Sequence, residues 1–240
     1  MKRLMFLSLT ALAFAAQSAT IYNNGPVVNG SGLSVLTLPA TTLGFGAQAS
    51  LGNSVADDFT VPVGSIYNIT SVDFFAYQTG STAFTFQNAN WSIVQGNVNT
   101  GVVVASGSTA VTNGGLEGFR VTSTTLTNTQ RGIYRVQADI PDISLAAGSY
   151  WLTWGLTGTL ALGPWQPPMA DARTGNAAQL TSVSGGLYVG LTDAGSTLTA
   201  EIPFALNGTI TVVPEPASVA LMLAGGLAVL GLARRKRLMA

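Results

Sequence analysis

The stretch Ile133-Tyr134-Arg135-Val136-Gln137-Ala138-Asp139-Ile140 alternates apolar Tyr134, Val136, Ala138 and Ile140 with polar Arg135, Gln137 and Asp139. A period of two belongs to an extended strand with one buried and one wetted face, because successive side chains leave a pleated backbone on opposite sides. Outward from it, Phe204, Leu206, Ile210 and Val212 alternate with Ala205, Asn207, Thr209 and Thr211, and Gly208 among them predicts a bend. Val72, Phe74 and Ala76, and then Tyr150, Leu152, Trp154 and Leu156, predict two further apolar faces. Trp91–Gln95 and Val102–Ser106 flank Gly96–Gly101, a hairpin with a loop longer than the tightest types. No amphipathic helix interrupts these runs between Thr20 and Val212, and no fixed-period repeat is present. The pattern predicts an all-β fold of eight or nine strands, a single antiparallel β-sandwich of jelly-roll type over residues 20–212. A parallel sheet would need crossover helices that the sequence lacks. The least regular stretch, Gly163–Gly186, is long enough to be functional or mobile.

Composition removes several chemistries. The chain has 240 residues, 47% hydrophobic, with no Cys and no His. Disulfides, thiolate metal clusters, a thiol nucleophile and a histidine base are therefore absent, and any reaction would rest on carboxylates and hydroxyls. The formal charge of zero hides an uneven distribution. Lys2, Arg3, Arg234, Arg235, Lys236 and Arg237 lie at the ends, leaving Arg120, Arg131, Arg135 and Arg173 against nine acids between Asp57 and Glu201. A body with a net charge of about −5 does not bind nucleic acid by the usual electrostatic route.

The two ends read as sorting devices. Met1, Lys2 and Arg3 precede an apolar run from Leu4 to Ala16 and small residues around Ser18 and Ala19, the order of a secretory signal peptide over residues 1–19. At the other end, over residues 213–237, Pro214-Glu215-Pro216 precedes the uncharged stretch Ala217–Ala233 and the basic cluster Arg234-Arg235-Lys236-Arg237. Two prolines around a glutamate keep the backbone extended and open to a processing enzyme. As a transmembrane helix Ala217–Ala233 would rise about 26 Å, near the thickness of a bilayer core. The cations after it resist translocation and stay cytoplasmic.

This tripartite tail resembles the PEP-CTERM sorting signal of Gram-negative bacteria that possess an exosortase, with Pro214, Glu215 and Pro216 matching the signature tripeptide. The resemblance implies recognition by an exosortase-like membrane enzyme, removal of the tail after a transient stay in the inner membrane, and transfer of the body to the cell surface or an extracellular polysaccharide matrix. The body is also similar to a loose group of secreted bacterial sandwich proteins. That likeness rests on Ala56-Asp57-Asp58-Phe59-Thr60-Val61-Pro62, Gly175-Asn176-Ala177-Ala178-Gln179 and Ile202-Pro203-Phe204-Ala205-Leu206-Asn207-Gly208. It supports the fold and carries no activity.

Within the body, Asp57 and Asp58 are the adjacent carboxylates. They suit either a bond to backbone amides at a strand start or, if the chain bends there, a Ca²⁺ site; no other cofactor is suggested. Glu117 and Glu201 are its only glutamates, nothing local pairs them for glycoside hydrolysis, and Asp139 and Asp142 flank Pro141 in an expected turn. Trp165, Asp171 and Arg173 in the irregular stretch form a candidate sugar platform, although Trp165 suits a loop plug equally well. Trp91, Trp151 and Trp154 are expected in the core. The body has no Lys, so its edge strands lack the usual charged guard, which suits either self-association or matrix assembly, or edges covered by bulges, prolines and loops. The reading is a non-enzymatic, structural or adhesive surface protein. Its rivals are an exopolysaccharide-binding module and a carboxylate hydrolase.

Overall fold

A computed structural model describes residues 19–213, so the signal peptide up to residue 18 and the Pro214–Arg237 tail lie outside the described residues, while Ala19 belongs to the first strand. The first strands are β1 (Ala19–Asn23), β2 (Leu33–Leu36), β3 (Phe45–Gly46), β4 (Ser54–Val61), β5 (Ser65–Ala76) and β6 (Phe86–Gln95). There follow β7 (Val102–Thr122), β8 (Gly132–Leu145), β9 (Gly148–Gly158), β10 (Trp165–Gln166), β11 (Ala178–Leu180), β12 (Val189–Gly190) and β13 (Phe204–Val212). A single 3₁₀ turn, Ala49–Leu51, is the one helical element described. Among the described residues no helix is long and apolar enough to cross a membrane.

The body is all-β, as its period predicted, but its main strands form one continuous sheet in the order β1-β13-β5-β8-β7-β6-β9-β4-β11-β12. The device that makes this one sheet is β7. Its first part, Val102–Ala110, pairs with β6, and its second, Val111–Phe119, with β8. The half containing β5, β8 and β13 thus curls over the half containing β4, β6 and β9. Ring contacts join the two faces: Phe74 stacks on Trp154 at 5.4 Å between centroids, Phe204 meets Trp154 at 5.8 Å, and Tyr22 meets Phe59 at 5.7 Å. The ladders are antiparallel except for β2, which runs parallel to the end of β7.

The core follows the alternation where one face is wet. In β8, Tyr134, Val136, Ala138 and Ile140 are buried while Arg135 and Asp139 are exposed. The predicted hairpin is present, with Gln95 opposite Val102. Trp91 and Trp154 are core residues, whereas Trp151 is half-buried on the outer side.

Two expectations are corrected. In β13 the alternation fails, because Phe204–Gly208 is buried on both faces between β1 and β5, while Ile210 and Val212 are 47% and 74% exposed beyond the end of β1. Gly208 marks the register shift between these parts, and a Cβ there would overlap the Asn68 carbonyl. Pro141 lies inside β8 rather than in a turn. Ser71 faces Asp139 and Ile69 faces Ile143, so Ile140–Asp142 bulge opposite Thr70, a place where a residue without an N–H is tolerated.

Candidate functional site

The side chains that tie the chain's distant parts together converge on Asp57. It occupies the core-facing position of β4 between Val55 and Phe59 and is fully buried. A buried carboxyl needs donors, and three are supplied. The Ile202 N–H and the Asn24 side-chain amide each donate to Oδ2 at 2.9 Å, and the Asp58 N–H donates to Oδ1 at 2.8 Å. Asn24 also donates to the Ile202 carbonyl at 2.9 Å and accepts the Tyr22 hydroxyl at 2.8 Å. Glu201 closes the group: its Oε2 accepts the Asn176 N–H at 3.2 Å, and carboxylate oxygens of Asp57, Asp58 and Glu201 lie within 4.8 Å of one another.

Burial pushes the Asp57 carboxyl up to about 8, with the Glu201 charge adding to it, although the Ile202 and Asp58 amides pull the other way. Burial likewise raises Glu201, helped by Asp58, and raises the Tyr22 hydroxyl, helped by Asp57. Three oxygen donors of this kind suit a hard divalent cation by chemistry, but the Asp57 oxygens are already engaged by three N–H groups.

The three segments that carry the likeness to secreted sandwich proteins meet at this cluster. Asp57 accepts from Ile202, Asn176 donates to Glu201, and Ala178 pairs with Ala56 across β11 and β4. Gly175 belongs to the same contact, since a Cβ there would overlap the Glu201 carboxylate. The sequence pointed to Asp57 and Asp58 together and to Glu201 only as an unpaired hydrolase candidate, and not to Asn24 or Tyr22; partners up to 177 residues apart leave no local signal. Glu117 stands elsewhere, 3.4 Å from Arg135. The carboxyl pair that forms is thus Asp57 with Glu201. A hydrolase needs its pair about 5–10 Å apart across an open cleft, whereas here one member is wholly buried.

The three residues proposed as a sugar platform are divided by the fold. Trp165 lies in β10 and exchanges both backbone hydrogen bonds with Tyr77, at 2.9 and 3.0 Å. Its ring is half-buried against the cluster of Val27, Phe75, Tyr77 and Ile133. Asp171 and Arg173 pair at 3.2 Å on the rim of a cavity of about 520 Å³ that Trp165 does not line. At the wall of that cavity Arg120 is buried, donating to the carbonyls of Leu43 at 2.7 Å and Thr42 at 3.0 Å and to the Ser34 hydroxyl at 3.1 Å. Burial lowers its pKa to about 10. Nearby, Asp193 accepts the Thr42 and Ser196 N–H groups at 2.7 Å each; these donors outweigh its own desolvation and hold its carboxyl far below the usual range.

A second, shallower recess of about 480 Å³ crosses the outer face of β4, β6, β7 and β9. Ser106, Ser92 and Thr153 form its floor in one cross-strand row, with Ser92 and Thr153 hydroxyls 2.6 Å apart. Tyr188 walls it, bonded through its hydroxyl to Ser54 at 2.7 Å.

Residues 212–237 match the family model of the PEP-CTERM protein-sorting motif. Such a motif implies export and exosortase-dependent sorting to the cell surface of a Gram-negative bacterium. No curated protein matches the chain.

Proposed function

We propose that this chain is an exported surface protein that is held briefly in the inner membrane by its tail, processed by an exosortase near Pro214–Pro216, and left outside as a non-enzymatic structural or adhesive β body. One observation carries the reading: the sorting motif begins at the end of the last described strand. β13 closes at Val212, Val213 donates its N–H to the Gly64 carbonyl at 2.8 Å, and the matched motif spans 212–237. The last described strand and the recognition element are thus adjacent along the chain, so a processing enzyme that reads the tripeptide acts next to the body in sequence. The non-catalytic reading is supported by the acidic cluster, whose buried member is spent on bonds that join β1, β4 and the approach to β13.

Replacing Pro214, Glu215 and Pro216 together with Ala, in a host that carries the exosortase, tests it. The folded body should stay in the membrane fraction while the wild-type chain is recovered outside without its two ends, as intact mass would read. Release of the variant at the wild-type rate would overturn the reading.

A second reading, binding of a neutral stretch of exopolysaccharide, is favoured by the hydroxyl floor and tyrosine wall of the recess over β6 and β9. It predicts retention on a polysaccharide affinity gel that is lost in Asn90→Ala and Ser92→Ala. No retention of the wild-type chain removes it.

A further inference from the structure

Arg120 is 2% exposed, and among the described residues no carboxylate pairs with it. Its guanidinium donates to the Leu43 and Thr42 carbonyls and to the Ser34 hydroxyl, which leaves an N–H unused on each terminal nitrogen. A charge taken out of water is costly unless an opposite charge meets it. Here Arg131 adds a like charge, and Asp193 acts on Arg120 only through space. The Asp193 oxygens are taken instead by the N–H groups of Thr41, Thr42, Gly195 and Ser196. Arg120 nevertheless lines the cavity of about 520 Å³, a volume within the range of about 300–1,000 Å³ usual for small-molecule sites. Much of the remaining lining is aliphatic, with Leu36, Leu38, Pro39, Met169 and Leu198, and Phe45 supplies its one aromatic ring. Leu38 and Leu198 are 74% and 57% exposed, so the apolar surface continues out to solvent. The other lining carboxylate, Asp171, is held by Arg173.

We propose that this cavity binds a straight-chain aliphatic acid, whose carboxylate is the counter-ion of Arg120 and whose alkyl chain runs from there past Met169 toward Leu38 and Leu198. Charge selects the head group, because the buried guanidinium has donors to spare and no carboxylate of its own. The lining selects the chain. A sugar ring asks for an aromatic face and a set of polar partners, whereas leucine, proline and methionine side chains suit a flexible alkyl chain. The cavity shares no lining residue with the hydroxyl-floored recess over β6 and β9. This inference goes beyond delivery by the tail and does not depend on it.

Photolabelling of the full chain, held in amphipol with no free detergent, tests it. The probe is decanoic acid carrying a diazirine in its chain, and labelled peptides are read by mass spectrometry. Label should fall on residues 35–40, 168–173 and 196–200, the segments around the cavity. Excess decanoate should remove it, while 1-decanol, with the same chain and no charge, should compete about tenfold less well. Leu198→Asp and Leu198→Arg remove the same exposed apolar side chain but set opposite charges there; the first should weaken labelling about tenfold and the second should not. Arg120→Met, where circular dichroism shows it folded, should bring decanoate and decanol level. Where it does not fold, the Leu198 pair decides alone. No label in these segments overturns the proposal. So does equal competition by decanol, which would leave an apolar hollow without a charge to satisfy, and so does an equal effect of the two Leu198 variants. Better competition by 3-phenylpropionate than by decanoate also overturns it, by assigning the cavity to an aromatic acid.

Discussion

The Ile202 N–H donates to Oδ2 of Asp57 at 2.9 Å, joining two residues 145 positions apart through a carboxyl with no exposed surface. With Asn24 on the same oxygen, this bond ties the start of the chain, β4 and the approach to the last strand into one junction.

Stability should depend on pH through that junction. The Asp57 carboxyl is raised from 3.8 to about 8 in the fold, so its contribution is complete below about pH 4 and is lost as pH rises through 8. Glu201, also raised, acts with the same sign. Asp193, held low in the fold, acts with the opposite sign, and its contribution is lost as pH falls below 4. Thermal or urea unfolding should therefore show a maximum near pH 4 and a decline to pH 8, at most about 1.4 kcal/mol per pH unit for one group. Asp57→Asn, which keeps an acceptor for Asn24 and Ile202, should flatten the decline. A cation held by Asp57, Asp58 and Glu201 would reverse the sign, with millimolar Ca²⁺ raising the melting temperature most above pH 7.

Gly208→Ala should cost about 2–4 kcal/mol by the measure of an overpacked core. The added Cβ meets the Asn68 carbonyl and the Ile69 backbone, which cannot swing aside as a side chain would. Urea unfolding reads this directly, and a loss under about 0.5 kcal/mol would mean that the register shift can move along the strand.

Arg120→Met removes a buried guanidinium and leaves the Leu43 and Thr42 carbonyls and the Ser34 hydroxyl without their donor. The cost should be about 3 kcal/mol. Hydrogen exchange should quicken first across residues 37–44, because the arginine, together with Asp193 at Thr41 and Thr42, fastens that segment near the end of β7.

The basic cluster should act separately from the tripeptide. Exchanging Arg234, Arg235, Lys236 and Arg237 for Ser leaves Pro214–Pro216 intact but removes the charges that oppose translocation. Less of the chain should be processed at the tail, and full-length chain should appear outside the membrane fraction by immunoblot. Unchanged processing would assign the halt to the apolar stretch alone.

How far the fold was legible depended on what surrounds each strand. β8 could be read from Tyr134, Val136, Ala138 and Ile140 because it keeps one wet face over much of its length. β13 could not, because its first half is covered on both sides and its second half extends past its neighbour β1. Pro141 suggested a turn because proline breaks a ladder, yet a bulge accommodates it within a strand. Trp165 carried two readings in sequence, and only the fold shows that its ring packs over Tyr77 and Ile133.

The sequence alone determined the strand period, the hairpin at Gly96–Gly101, the absence of thiol and imidazole chemistry and the sorting tail, since each is written in residues close together along the chain. Tertiary structure decided the rest: that Glu201 joins Asp57 and Asp58, and that Trp165 packs over Tyr77 and Ile133 while Asp171 and Arg173 line the cavity beside Arg120. These are relations between segments that share no local pattern, and only packing brings them to within a hydrogen bond or holds them apart.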